Sequence, residues 1–217
     1  IFTNLWIQPA SGDAGGALGA ALAVYYLMKK NTRILKSDSD MMKGGYLGPK
    51  YKDNEIENAL QNLGAKYKKL GSNELNNKTI EALSQNKAVG WMNGRMEFGP
   101  RALGNRSIIA DPRSDKMQKI LNLKIKYRES FRPFAPSIIL EEVDNWFDLS
   151  AKSPYMLLVA NIKDDKLLKI SNKEEKLFGI DKLNIKRSSI PAVTHVDYSA
   201  RVQTIHKETN PKFHALI

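Results

Sequence analysis

Apolar positions three or four apart mark two amphipathic helices, residues 53–63 with Leu60 and Leu63 and residues 73–86 with Ile80 and Leu83, all four expected in the core. A third helix is expected over 114–124. Ser114 is placed to cap it, and Met117, Ile120, Leu121 and Leu123 give it an apolar face. Short unbroken apolar runs read as strands: 88–92, 156–162, 191–196 and 201–205, the last two flanking a turn at 197–200. The chain opens on a strand-like stretch at 2–7, then a Gly-rich turn and a small-residue helix over 14–30, with Asp13 at the capping position. Pro133 and Pro136 forbid a helix across 134–139, so that segment is expected to be extended. Residues 141–147 suit a short helix. Residues 31–53 and 163–187 lack a period and read as loop, the second with room for one short helix. The three tryptophans, Trp6, Trp91 and Trp146, read as core. The mixture places the chain in the α/β (α+β) class.

The chemistry concentrates between strand 88–92 and the extended segment. Residues 94–106 hold Gly94, Gly99 and Gly104, Pro100, and Arg95, Arg101 and Arg106. Glycine lets a backbone approach a ligand closely. Arginine offers a planar, permanent charge that matches phosphate or carboxylate oxygens. Residues 101–132 carry nine Lys/Arg against three Asp/Glu, so this seventh of the chain holds +6 of its net +11. A solvated basic face has the same count. The interleaving with Gly, Pro and Phe favours a shaped anion pocket.

Composition narrows the classes. At 217 residues and 42% hydrophobic, the chain can build a core. No run of 18 apolar residues is present, so no membrane-spanning helix is expected. The absence of cysteine excludes disulfides and thiolate metal sites and fits a reducing, cytoplasmic compartment. A pI near 9.6 points to anionic partners. The first residue is Ile, inside a strand-like stretch and without a basic leader, so the chain is expected to be a piece of a longer protein.

Five collinear blocks carry a resemblance: residues 9–21 (PASGDAGGALGAA), 94–113 (GRMEFGPRALGNRSIIADPR), 128–136 (RESFRPFAP), 153–156 (SPYM), and 191–197 (PAVTHVD) with 200–204 (ARVQT). Together they resemble the O-carbamoyltransferases of the nodulation-protein-U type, over most of the chain. The resemblance implies two units. Residues 1–36 would be the tail of an actin-like ATPase-fold domain that transfers the carbamoyl group to an acceptor hydroxyl. Residues 45–217 would be a YrdC-like domain, a twisted mixed sheet flanked by helices, that forms carbamoyl-adenylate from carbamoyl phosphate and ATP with Mg²⁺. A divalent metal, iron among the candidates, would belong to the transfer unit, with Asp13 matching its late carboxylate. Two departures stand out. Tyr198 follows Asp197 where the family usually has Gly, and the Asn-Thr-Ser-Phe-Asn-like block that resembles a phosphate-binding element does not occur before Ile217. The piece is therefore expected to be weak or inactive alone.

Joining two polyanions demands cations on a rigid support. Lys126 and Arg128 match the Lys-x-Arg pair of the YrdC-like fold, and in an extended segment both would face one carbamoyl phosphate; alternatively, Lys126 ends a helix and faces its dipole. Arg101 and Arg106 are expected on phosphate oxygens, or else in ion pairs with Glu97 or Asp111. Arg132 is a phosphate ligand or a hinge before Pro133, and Arg95 is open between the two roles. His195, with Asp197 two residues on, would hydrogen-bond a carbamoyl oxygen or the nucleotide, or be an ordinary edge residue. Asp13 is a metal carboxylate or a helix cap. A competing reading is a basic nucleotide- or RNA-binding module without turnover. The aromatics are not interleaved with the basic clusters as base-stacking platforms would be, which disfavours nucleic acid.

Overall fold

The computed structural model describes residues 7–34 and 40–217. The opening strand expected at 2–7, and Trp6 with it, lie outside the described residues but for Ile7. The chain divides into two compact units, each discontinuous in sequence: Ile1–Lys68 with Met92–Ser107, and Lys69–Trp91 with Ile108–Ile217.

In the first unit, helix α1 (Asp13–Ala23) runs on into a π-helical turn, Val24–Met28, and helix α2 spans Asp53–Asn62. Gly12 is the N-cap of α1, and Asp13 is its first helical residue, an acid near the positive end of the dipole. No residue of α1 or of the turn after it is buried, although the sequence is apolar all round; Leu27 and Met28 are each about three-quarters exposed. Leu63, expected in the core, is 81% exposed because it sits past the last turn of α2, off the helix's inner face.

In the second unit, helix α3 (Ser72–Ser84) buries Thr79, whose hydroxyl donates to the Leu75 carbonyl, while Ile80, also expected in the core, lies half exposed. Strands β1 (Val89–Met92) and β2 (Arg106–Ile109), along which the division of the chain falls, pair into a two-stranded sheet. The sequence pattern marks no strand at β2, because the Gly/Arg run before it reads as loop throughout.

A three-stranded mixed sheet forms the core of the second unit. Its middle strand is β5 (Ser199–Ile205), flanked by β3 (Ser137–Ile139) in parallel and β4 (Leu158–Asn161) in antiparallel. Ser137 lies opposite Gln203, and Leu158 opposite Val202. Alternate β5 residues feed two clusters, as the two-residue period requires. Ala200 and Val202 pack with Phe147, Ala160, Ile162, Ile190 and Val193, with Trp146 at the margin, whereas Ile205 packs with Trp91, Phe213 and Leu216. Among the described residues the chain is thus an α+β protein with two sheets and several helices.

The remaining helices are short. Helix α4 (Met117–Ile120) widens into a π-helical turn, Leu121–Ile125; Ser114 does not cap it through its side chain, and its carbonyl accepts the Met117 N–H from the preceding turn. Helix α5 (Val143–Trp146) follows a 3₁₀ turn, as expected for 141–147. Helices α6 (Asn172–Glu175) and α7 (Gly179–Leu183) lie in the polar excursion. Residues 191–193 form a 3₁₀ turn rather than a strand, since Pro191 has no N–H to give a ladder. Helix α8 (Pro211–Leu216) has a signature that its short length obscures: Asn210 caps it through its side chain, accepting the Phe213 N–H, and Pro211 takes the first helical position.

Candidate functional site

The Gly/Arg loop of the first unit is organised around an acid. Glu97 is 8% exposed, and its Oε1 accepts three main-chain N–H groups, from Leu103 at 2.8 Å, Asn105 at 2.9 Å and Arg106 at 3.0 Å. Converging amides of this kind resemble an anion nest, and here the protein's own carboxylate fills it. Asn105 Nδ2 donates to the Arg95 carbonyl at 2.7 Å, and Tyr46 Oη to the Leu103 carbonyl at 2.7 Å. Gly48 and Pro49 brace the loop from outside: Gly48 N–H donates to Met96 O, and Met96 N–H to Pro49 O, each at 2.9 Å. A Cβ at Gly48 would lie 2.9 Å from both Cβ and O of Met96, so glycine is required for this approach.

This scaffold sorts the three arginines. Arg106 is half-buried and turns its Nη1 onto the carbonyls of Asn93 at 2.9 Å and Asn105 at 2.8 Å; it tightens the loop and pairs with neither Glu97 nor Asp111. Arg95 is exposed and donates to the Gly48 carbonyl at 3.0 Å. Arg101 is exposed at the loop's turn, without hydrogen bond or ion pair among the described residues. Asp111 binds Arg113 instead, at 2.6 Å, and that hydrogen bond holds the Asp111 carboxyl below its usual range. Asp13 is exposed, and among the described residues no group of three or more His, Asp or Glu side chains is placed to hold a metal ion.

In the second unit, residues 126–132 depart from the expected extended chain. Lys126 ends the π turn in helical conformation, and Tyr127 takes a left-handed φ of 48°. The two-residue alternation that would aim Lys126 and Arg128 the same way is therefore absent. Lys126 is exposed at a helix C-terminus, where its charge favours the dipole. Arg128 turns inward. Its Nε donates to Asn122 Oδ1 at 2.6 Å, and its guanidinium carbon lies 5.0 Å from the Phe134 ring centroid. Arg132 is exposed and pairs with Glu129 at 2.8 Å. Its carbonyl is the structural part, accepting from Asn122 Nδ2 at 2.8 Å and Gln118 Nε2 at 3.3 Å. Asn122 is absent from the residues that the sequence singles out. Its signal is a polar residue on the apolar face between Leu121 and Leu123.

The His195 block forms a hydrogen-bonded chain. Ser199 Oγ donates its one proton to Asp197 Oδ1 at 2.7 Å, and His195 Nδ1 lies 3.0 Å from the same Ser199 oxygen. A hydroxyl has a single proton, so His195 must carry its own on Nδ1, and Nε2 is left as the acceptor. Burial lowers the His195 pKa, with the Arg201 charge adding to it and Asp197 opposing. The hydrogen bonds from Ser199 lower the Asp197 pKa. Tyr198, standing where glycine was expected, takes a left-handed φ of 66°, the region that glycine enters most easily.

Chemically, the first unit offers a hydrogen-bonded loop with two exposed guanidiniums, Arg95 held at the Gly48 carbonyl and Arg101 unpaired among the described residues, and the second a braced guanidinium at Arg128 and an imidazole acceptor at His195. No helix among the described residues is long and apolar enough to cross a membrane.

Comparison with known proteins matches residues 80–217 to the family model "Carbamoyltransferase C-terminus". Over 218 residues the sequence is 53% identical to an uncharacterized protein of Synechocystis sp., covering all of this chain and 35% of the relative. Nodulation protein NolO of Bradyrhizobium diazoefficiens is 32% identical over 98% of this chain and 35% of its own length. The 3'-hydroxymethylcephem-O-carbamoyltransferase of Amycolatopsis lactamdurans is 30% identical over all of this chain and 34% of its own length. The chain thus spans about a third of the length of these relatives.

Proposed function

The chain belongs to the carbamoyltransferase C-terminus family, and on that premise we propose that it is part of an O-carbamoyltransferase whose parent protein forms carbamoyl-adenylate and passes the carbamoyl group to a small-molecule hydroxyl. Carbamoyl phosphate is the proposed donor and ATP, with its Mg²⁺, the co-substrate. Water attacks the donor, the bond between the carbamoyl and phosphoryl groups breaks, and inorganic phosphate and carbamate result. One carbamate oxygen attacks the α-phosphorus of ATP, and the bond to the β-phosphate oxygen breaks to release pyrophosphate. The acceptor hydroxyl then displaces AMP from the carbamoyl carbon. In this reading residues 1–36 belong to the transfer unit and 45–217 to the adenylate-forming unit. The divalent metal of the transfer unit needs donors beyond Asp13, and no step is assigned to it.

The observation that carries the proposal is Arg128. Its half-buried guanidinium is braced by a neutral amide and an aromatic ring and makes no ion pair among the described residues, the neighbouring Glu129 pairing with Arg132 instead. A cation so held keeps its charge for a ligand, and a preorganised charge is worth most where like-charged reactants must meet. Within the second unit Lys126 is proposed as a further phosphate ligand, with Arg132 more peripheral; Arg101, exposed on its loop in the first unit, is proposed as a phosphate ligand in its own right, with Arg95 more peripheral. The role of Arg106 is to fix the loop that carries Arg101. His195 supplies the acceptor for an N–H of the carbamoyl group or the nucleotide, with Asp197 orienting it through Ser199.

The test is carbamoyl-phosphate-dependent exchange of pyrophosphate into ATP by the full-length parent, comparing wild type with Lys126→Ala and Arg101→Ala. Each variant is expected to lose about tenfold or more in kcat/KM, the cost of one charged hydrogen bond. Unchanged exchange in both would overturn the assignment. Binding of RNA with steep salt dependence, indifferent to carbamoyl phosphate, would favour the nucleic-acid module instead.

A further inference from the structure

Asn122 has no exposed surface at all. It sits in the π turn after α4, where the wider backbone ring brings its side chain against the loop that follows. Nδ2 donates to the carbonyls of Ser130 at 3.0 Å and Arg132 at 2.8 Å; Oδ1 accepts Arg128 Nε at 2.6 Å; and its main-chain oxygen accepts the Arg128 N–H at 3.0 Å. Turning the amide over would set Nδ2 against a guanidinium and Oδ1 against two carbonyls, so the surroundings fix its orientation. One buried side chain therefore ties both ends of residues 128–132 and holds one specific nitrogen of Arg128.

That choice of nitrogen matters. A guanidinium can meet an oxyanion through its Nε/Nη side or through its Nη1/Nη2 end. Asn122 occupies Nε, and Phe134 covers one face. Nη1 and Nη2 carry no hydrogen bond among the described residues, leaving the end-on pair as the open edge.

We infer that Asn122 is a positioning residue that aims Arg128 end-on at an oxyanion, a phosphoryl or carboxylate group, so that the anion binds through Nη1 and Nη2 while Nε stays on Asn122. The inference rests on the proposed adenylation chemistry for the identity of the anion, but the geometry of the grip is independent of it.

The first measurement needs no mutation. ¹⁵N-resolved NMR of the Arg128 guanidinium is followed while inorganic phosphate, carbamoyl phosphate and ATP are added in separate titrations. The Nη signals are expected to shift and sharpen while Nε–H keeps its position and slow exchange. The ligand giving the tightest response identifies the source of the anion. Loss of the Nε–H protection on binding, or silence of every Arg128 nitrogen to all three anions, would overturn the inference. The second measurement is a double-mutant cycle on anion affinity with Asn122→Ala and Arg128→Lys. Each single change is expected to weaken binding about tenfold, the effect of removing one charge-assisted hydrogen bond. The double variant is expected to be no weaker than either within about twofold, because both act through one guanidinium. Additive losses would overturn it. Should Asn122→Ala not fold, Asn122→Asp is read by NMR for the same Nε–H, expected to remain protected; an unprotected Nε–H there would count against the inference.

The outcomes separate this inference from the functional proposal. A response of Arg128 to phosphate without any exchange activity in the parent would sink the proposal and leave the inference standing. Exchange activity with a silent Arg128 would do the reverse.

Discussion

Replacing Glu97 with alanine removes one acceptor from three main-chain donors at once. Leu103 and Asn105 are each only 3% exposed, so their N–H groups find no easy substitute, whereas that of half-buried Arg106 can reach water. A buried donor left unmatched costs about 1–3 kcal/mol, and a water entering the vacated space recovers part of this. Two orphaned donors then give a loss of roughly 3–4 kcal/mol, a large share of the ~5–15 kcal/mol that holds an ordinary domain together. With a urea slope of about 2–3 kcal/mol/M, the unfolding midpoint should fall by roughly 1–2 M. Glu97→Gln keeps an oxygen in place and loses only the charge assistance, so about half the effect is expected. Urea unfolding of the three proteins gives the midpoints, and amide hydrogen exchange gives the location: Leu103 and Asn105 should lose protection first in Glu97→Ala. A midpoint unmoved beyond that of an exposed control, Lys87→Ala, with those two amides protected as before, would refute the view that Glu97 organises the loop.

Other substitutions test the same geometry from different sides. Gly48→Ala places a Cβ 2.9 Å from Met96 Cβ and O, and Gly99→Ala adds a Cβ 2.5 Å from Ala10 Cβ at a φ of 97°; thermal unfolding should show each destabilised by about 1–3 kcal/mol, while Gly71→Ala, with open space around it, serves as the contrast. The lowered His195 pKa means that below the ordinary 6.5 the unfolded chain binds a proton the folded ring does not. Stability should therefore fall as pH drops from about 6.5 toward the folded value, and His195→Gln should flatten that part of the curve in urea titrations at stepped pH. Asp197, with its pKa also lowered, acts in a separate window: its contribution is present above the ordinary 3.8 and is lost as pH falls further.

What the sequence revealed of the fold follows the range of the forces involved. Helices α2 and α3 and the strands β1, β4 and β5 were legible because their patterns arise within a few residues. The ends were less so: β4 is shorter than its apolar run, since Met156 closes the turn that begins at Ser153 and has a φ of 56°. The reading of 126–128 failed for a physical reason. The prolines at 133 and 136 restrict only their immediate neighbours, and the conformation five residues upstream is set by Asn122 reaching forward to Ser130 and Arg132. Tyr127 in the left-handed region has no local signature: the residue is 85% exposed, and the hydrogen bonds on either side, from Lys126 N–H to the Leu121 carbonyl and from Arg128 N–H to the Asn122 carbonyl, fix the backbone there.

The same distinction governs the site. Counting charges located the basic segment but not what each charge does, because a count treats every guanidinium as available. Arg106 and Arg101 stand five residues apart in one motif, yet one is consumed by backbone carbonyls and the other faces solvent. Glu97, the loop's only acid, sits not opposite the arginine side chains but beneath the main chain, where it meets three amides. Its placement keeps it from neutralising the cations around it. A carboxylate committed to backbone amides and an asparagine committed to one arginine nitrogen achieve a common result: each fixes a basic loop without cancelling its charge. Under the proposed function, a segment that draws polyanions together needs that arrangement: cations held in place with their charge left for the ligand.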